Sequence, residues 1–318
     1  MSELATATAT AADSVQAITR VTMAVDASPA SQRLATYMRD LVRPGMHVSV
    51  VGIAENPRVL TPHLAFGDAT LATAREGMRR AVRDALGRAS GIVSASGADV
   101  DARLIDQSHK SGAVADALVA DARACHADLL AVGARQHRGM LHWTDASVSK
   151  PVTRDAHCSM LIVPERFERK HTGPLARIMF AIDGSAASLH AMRYGLQLAT
   201  AQTRLLAVYV VDCALRFESL PEILLEGAYI AEGERALGHA ATIFARCPNP
   251  SKTALLSTRA VGDDVAHALV REAVRLHADM LVVGTHGRRG LLGWFLGSVA
   301  RRVARLSDVP VLLVRPLA

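Results

Sequence analysis

The residues best suited to chemistry lie in one stretch, Val283 to Ser298, which reads VGTHGRRGLLGWFLGS. Gly284 closes an apolar run and Gly287 follows after two residues. Nine more residues separate Gly287 from Gly297, with Ser298 beside it. This pattern suits anion binding. A glycine at a strand end lets backbone N–H groups approach a ligand without a Cβ in the way. Glycine-rich turns can form concave nests of N–H donors for phosphate oxygens. Gly297-Ser298 stands where a helix begins, so free N–H groups and the helix dipole favour negative charge there. The Ser298 hydroxyl can cap that helix or meet a phosphate oxygen, and Arg288 and Arg289 add positive charge nearby. A second polar group, Asp183, follows another apolar run. It can either meet a ligand or cap the helix expected from Ser185.

Other chemistries find less support. His126 and His277 each stand alone before Ala-Asp, where a surface or capping role is expected. Cys125-His126 and His157-Cys158 are adjacent pairs, and adjacent ligands alone do not make a metal site. No metal site is therefore assigned. No Ser-His-Asp set and no Gly-x4-Gly-Lys loop is evident, and no catalytic residue is assigned. Arg301, Arg302 and Arg305 read as a solvated helix face. Trp143 and Trp294 are expected to pack.

These residues must be held by elements, and the elements repeat. The stretch from His126, HADLLAVGARQHRGMLHWTDASVSKPVTRDAHCSMLIVP, aligns without a gap on the stretch from His277, at an offset of 151. Asp128 meets Asp279, Gly133 meets Gly284, and Ser147 meets Ser298. The starts of the halves match at an offset of 157, VTMAVDASPAS answering IMFAIDGSAAS. The chain thus holds a duplicated domain, at 18–165 and 175–318. A charged linker lies at 166–174, and residues 1–17 form an Ala- and Thr-rich tail expected to be disordered. In the second half, strands are expected at 177–182, 204–211, 253–258, 280–283 and 309–314. Helices are expected at 186–200, 221–246 (broken near Gly227), 263–276 and 298–306. Strands alternating with helices imply βαβ units and a parallel sheet.

Length and composition agree. The chain has 318 residues, enough for two ordinary domains with their own cores. Half its residues are apolar and only 4% aromatic, which suits parallel sheets covered by helices. A net charge of +6 favours anions mildly, and with no aromatic residues interleaved in a basic stripe it does not point to nucleic acid. The four cysteines form no Cys-x-x-Cys pair, which fits a reducing compartment. No signal peptide and no long apolar run appears. The expected location is the cytoplasm, without membrane partners.

The spacing Gly-x2-Gly-x9-Gly-Ser, the early Asp183, Val210 in Tyr-Val-Val-Asp and the closing VPVLLVRP together resemble the universal stress protein family, over almost the whole chain. The resemblance implies two tandem α/β units, each an open parallel five-stranded sheet of order 3-2-1-4-5 with helices on both faces. It implies ATP as ligand, with Mg2+ accompanying the nucleotide. Ala181, Ile182 and Asp183 would hold the adenosine end, and the Val210 backbone would face adenine. Val283, Gly284, His286, Gly287, Gly297, Ser298 and Val299 would surround ribose and phosphates. Members commonly pair through the last strand, so a tandem chain can form an intramolecular pseudo-dimer. Further homo-oligomerisation is left open.

The first half departs from the pattern. Gln136 stands at the position of Gly287, Ala146 at that of Gly297, and Asp145 adds negative charge just before the turn. One ATP per chain, in the second half, is the expectation. The role this implies is a nucleotide-dependent regulatory or stress-response module. The alternatives are a slow ATPase or nucleotidyl-transfer enzyme, or a scaffold that binds no nucleotide.

Overall fold

The apolar runs of each half become strands that lie side by side and mostly parallel. The computed structural model describes residues 15–60, 63, 67–110, 113–134, 156–212, 222–259, 263–286 and 296–316. In the first half β1 (Arg20–Val25), β2 (His47–Ala54), β3 (Asp99–Asp106), β4 (Leu129–Ala134) and β5 (Ser159–Pro164) are joined by α1 (Pro29–Leu41), α2 (Pro57–Leu60), α3 (Asp68–Ser94) and α4 (Val114–Ala124). In the second, β6 (Arg177–Ala181), β7 (Arg204–Val211), β8 (Ser251–Ser257), β9 (Met280–Gly284) and β10 (Val311–Val314) alternate with α5 (Ala186–Leu196), α6 (Glu222–Phe244), α7 (Val265–Arg275) and α8 (Ser298–Leu306).

The expected order 3-2-1-4-5 holds within each half, but the two units are not separate sheets. One ten-stranded sheet runs β3-β2-β1-β4-β5-β10-β9-β6-β7-β8. The join is antiparallel, with Met160 opposite Leu313 and Ile162 opposite Val311. Both joining strands are buried throughout and, but for Ser159 at the start of β5, apolar, and such an edge left unpaired would be sticky. The two outer strands are the half-exposed ones. Asp99, Asp101, Arg103 and Asp106 on β3 place charge on an open edge, which discourages further pairing.

Several boundaries differ from expectation. The α6 helix runs through Gly227 without a break, since one glycine costs only about 1 kcal/mol in a packed helix. The α5 helix stops at Leu196 rather than Thr200, where Leu198 and Ala199 donate to Gly195 and Leu196 in tightening turns. Strand β8 begins at Ser251, two residues early. Gln16 belongs to the tail by sequence, yet its side chain donates to Asp128 at 2.7 Å. No described helix is long and apolar enough to cross a membrane.

Paired features of the repeat build the seam between the halves. Buried Tyr37 of α1 donates to the backbone oxygen of Asp279 (3.0 Å), and buried Tyr194 of α5 donates to that of Asp128 (2.8 Å). Each half thus reaches into the other through equivalent residues. The carboxylates of Asp128 and Asp279 are themselves buried acceptors. Asp128 takes the N–H groups of Thr19 and Arg20, both at 2.8 Å. Asp279 takes those of Ala176 and Arg177, at 2.6 and 2.9 Å. The segment read as a linker is docked on this seam. Phe167 stacks edge-on against Tyr37 with centroids 6.0 Å apart, and the Arg169 guanidinium lies 3.0 Å from Asp40 and 5.9 Å from the Tyr37 ring centroid.

Candidate functional site

In the second half the chain leaves β6 toward β7 on one side and returns through β9 on the other. The carboxyl ends of β6 and β9 therefore flank a topological switch point, where open α/β sheets take their ligands. Phe180 pairs with Val282 across these strands, so Asp183 and Gly284 emerge on the same edge. Ile182 is buried and donates its N–H to Val208 at 2.8 Å, while Ala181 and Asp183 are half-buried. Val210 lies further along β7, half-buried, in register with Leu256. Val283 is buried within β9.

Asp183 has local work. Its Oδ1 accepts from the N–H of Ser185 at 2.9 Å and from the Ser185 hydroxyl at 2.6 Å. Asp26 does the same in the first half, accepting from the N–H and hydroxyl of Ser28 and from the Ser31 hydroxyl at 2.7 Å. Such Asx-type bonds shape the turn between strand and helix. They are shared by both halves, so they do not by themselves set Asp183 apart. Gly184 follows with φ +83°, a left-handed turn that glycine adopts without a steric penalty.

The glycines have packing reasons beside any ligand. A Cβ on Gly284 would stand 3.2 Å from the Ala187 oxygen at the start of α5. On Gly133 it would stand 2.8 Å from the Ala30 oxygen at the start of α1. Close helix–strand approach thus explains why this glycine occurs in both halves, including the one whose motif is broken. A Cβ on Gly297 would stand 3.2 Å from the Thr285 oxygen, which accepts the Gly297 N–H at 2.8 Å. Gly297→Val is therefore expected to disturb the fold as well as any ligand, contrary to what the spacing alone suggests.

Gly297, not Ser298, is the N-cap of α8, and it provides no side-chain cap. Ser298 and Val299 occupy the exposed first turn. The helix is anchored by buried Ala300, Val303 and Ala304, with Arg301, Arg302 and Arg305 exposed. Arg302 lies 2.8 Å from Asp264. That aspartate is the N-cap of α7 and accepts the His267 N–H at 2.9 Å. This ion pair ties the start of α7 to α8. Thr285 is the residue that sequence reasoning missed. It is buried, it holds Gly297 through its carbonyl, and its hydroxyl lies 3.1 Å from His286 Nδ1. No pattern of residue types marks it, because its role runs through a backbone oxygen.

Gly287, Arg288, Arg289 and Trp294 lie outside the described residues, as do Gln136, Trp143, Asp145, Ala146 and Cys213. Among the described residues no three of His, Cys, Asp and Glu gather as a metal would require. His126 and His277 close helices. Both have left-handed backbones, φ 51° and 50°. The Ala127 N–H reaches the Ala122 oxygen and the Ala278 N–H the Ala273 oxygen, both at 2.9 Å. This is the bonding of a Schellman cap, and it accounts for the repeated histidines without a metal.

Comparison with known proteins agrees with this architecture. The model of the universal stress protein family matches residues 17–164 and again 175–315. A universal stress protein of Methanocaldococcus jannaschii, MJ0531, is 32% identical over 142 residues, covering 44% of this chain and 81% of that protein. Universal stress protein Rv2623 of Mycobacterium tuberculosis is 27% identical over 169 residues, covering 53% of this chain and 55% of its own length. Among solved structures, a universal stress protein from Archaeoglobus fulgidus superposes with a TM-score of 0.60 over 93% of this chain and 98% of its own, at 15% identity.

Proposed function

The chain belongs to the universal stress protein family, and on that premise we propose that its second domain binds one ATP and acts as a nucleotide-dependent regulatory module in the cytoplasm. The observation that carries this reading is the meeting of three elements at one sheet edge. The ends of β6 and β9 lie beside the start of α8, and α8 begins on a glycine with no side-chain cap. Uncapped first-turn N–H groups and the positive end of the helix dipole suit phosphate oxygens.

In this reading the N–H groups of Ser298 and Val299 and the Ser298 hydroxyl hold phosphate, with Gly287 giving close approach. His286 and Gly284 line the path from phosphate to ribose. Ala181, Ile182, Asp183 and the Val210 backbone receive the adenosine. Thr285 acts indirectly, fixing Gly297. The described residues offer no set of carboxylates for a metal, so Mg2+ enters as the companion of the phosphates. No base to activate water is assigned, so nucleotide occupancy, not turnover, is the functional variable. The two halves would act as one intramolecular pseudo-dimer through β5 and β10.

Calorimetric titration of the full chain with ATP tests this. One site per chain is expected, lost or strongly weakened in Gly287→Val. Gly297→Ala is preferable to the valine variant, since one methyl at the 3.2 Å approach to Thr285 should leave a folded protein. A stoichiometry near two, or affinity unchanged in both variants, refutes the reading. ADP release that scales with protein concentration and vanishes in Gly287→Val would instead favour an ATPase.

A further inference from the structure

A cleft of about 240 Å³ opens on the seam, where connections at the amino ends of strands from both halves come together. Its walls are the last turn of α1 with the two residues after it, Ser96 ahead of β3, residues 173–175 ahead of β6, and Leu198 and Thr200 ahead of β7. In the second half this is the end of the sheet opposite the candidate nucleotide site, which sits at the carboxyl ends of β6 and β9.

Positive charge in the cleft exceeds what the chain sets against it. Arg39 and Arg43, one helical turn apart at the end of α1, both line it and are both half-buried. The carboxylate among the lining residues is Asp40. It is already shared by Arg39 at 2.8 Å and Arg169 at 3.0 Å, and Arg169 also reaches Asp279 at 3.6 Å. Arg43 meets no carboxylate among the described residues. Its fork gives one N–H to the Ala199 oxygen across the seam, at 2.8 Å, and keeps further donors in hand. The carbonyl end of α1 favours cations in the last turn, but such a dipole offsets only part of a full charge.

The repeat does not call for these arginines. At the offset of 157, Leu196 answers Arg39, Gln197 answers Asp40 and Thr200 answers Arg43. Gln197 is closed over by the segment before β1, donating to the Gln16 oxygen at 3.0 Å and accepting the Ile18 N–H at 3.1 Å. The second half thus completes the same corner with neutral residues, so packing of the corner does not explain the two guanidinium groups.

We propose that this cleft binds a small organic monocarboxylate, its carboxylate on Arg39 and Arg43 and its apolar body against Val42, Leu175 and Leu198. Those three are buried apolar residues, and guanidinium forks match a carboxylate in shape and charge. One unmatched positive charge suits a monoanion and not a phosphate dianion. A dry cavity of about 150 Å³ holds benzene, so this one holds an acid of about ten non-hydrogen atoms. The walls come from both halves and from the segment joining them, so a bound acid bridges the domains. The site is separate from the α8 start and does not depend on ATP binding there.

Benzoate has about that size and is ionised at neutral pH, and benzamide is its neutral counterpart. Calorimetric titration of the full chain should find one benzoate site, at least about ten-fold tighter than benzamide. Neither ATP nor inorganic phosphate should displace it. Arg43→Gln should weaken benzoate about ten-fold and leave benzamide unchanged, and Arg43→Lys, which keeps the charge but loses the fork, should fall between. Should loss of the bond to Ala199 unfold the chain, Arg39→Gln serves in place of Arg43→Gln. No saturable benzoate binding by the folded chain, benzamide bound as tightly, displacement of benzoate by ATP or phosphate, or an affinity that the arginine variants leave unchanged overturns the proposal, whether or not ATP binds the second domain.

Discussion

Replacing Tyr194 with phenylalanine removes one hydroxyl from the seam and leaves the ring in place. The hydroxyl donates to the Asp128 oxygen at 2.8 Å across the domain boundary, in a position only 4% exposed. Burial raises its pKa well above the ordinary phenol value, so it stays a neutral donor at any working pH. Deleting a buried donor of this kind costs about 1–2 kcal/mol, the upper end applying when the acceptor is left unpaired. Tyr37→Phe removes the equivalent bond of 3.0 Å to Asp279 and keeps the edge-on contact with Phe167. It should cost a similar amount. The bonds share no partner, so the double variant should lose about 2–4 kcal/mol. Urea unfolding measures this. Amide hydrogen exchange read across the urea series at β1, β2 and β4 and at β6, β7 and β9 reports the halves separately. If the halves form one cooperative unit, both reporters give coincident transitions that move together when either tyrosine is changed. Separate transitions, or a loss under about 0.3 kcal/mol in both single variants, would refute the reasoning that the seam holds the halves as one unit.

Two further outcomes follow from local geometry. His126→Gly and His277→Gly should each raise stability by about 0.5–1 kcal/mol, because glycine takes the left-handed cap conformation without the penalty a Cβ brings; thermal unfolding of each variant checks this, and a loss of stability would mean the imidazoles make contacts beyond the cap. Asp263 is held down to about 2 chiefly by Arg271, which donates to both its oxygens at 3.1 and 2.9 Å. A depressed folded-state pKa stabilises above the unfolded value of about 3.9 and ceases to do so as pH falls toward the folded one. The stability difference between the native chain and Asp263→Asn should therefore be full above about pH 4 and close toward pH 2. A difference independent of pH across that window would show that the ion pair is not its source.

The sequence by itself determined the duplication, the alternation of strand and helix, and the place where anion chemistry belongs. Each rests on local information. Apolar runs of four to six residues bounded by turns read as buried strands, and repetition at fixed offsets exposed both halves. Asp128 and Asp279 also stood out as a matched polar pair, but only the fold shows them buried and accepting the backbone N–H groups at the start of β1 and β6. The family resemblance pointed to pairing through the last strands, and the tertiary structure decided that this pairing is an antiparallel join of β5 to β10 that fuses ten strands into one sheet, since register and direction depend on which edges meet and no residue type encodes that. It decided that Gly133 and Gly284 serve close helix–strand packing, because an added Cβ collides with a carbonyl oxygen distant in sequence. It also decided that Thr285 fixes the start of α8 through its carbonyl, since a backbone hydrogen bond can be made by almost any residue and so leaves no mark on the choice of side chain.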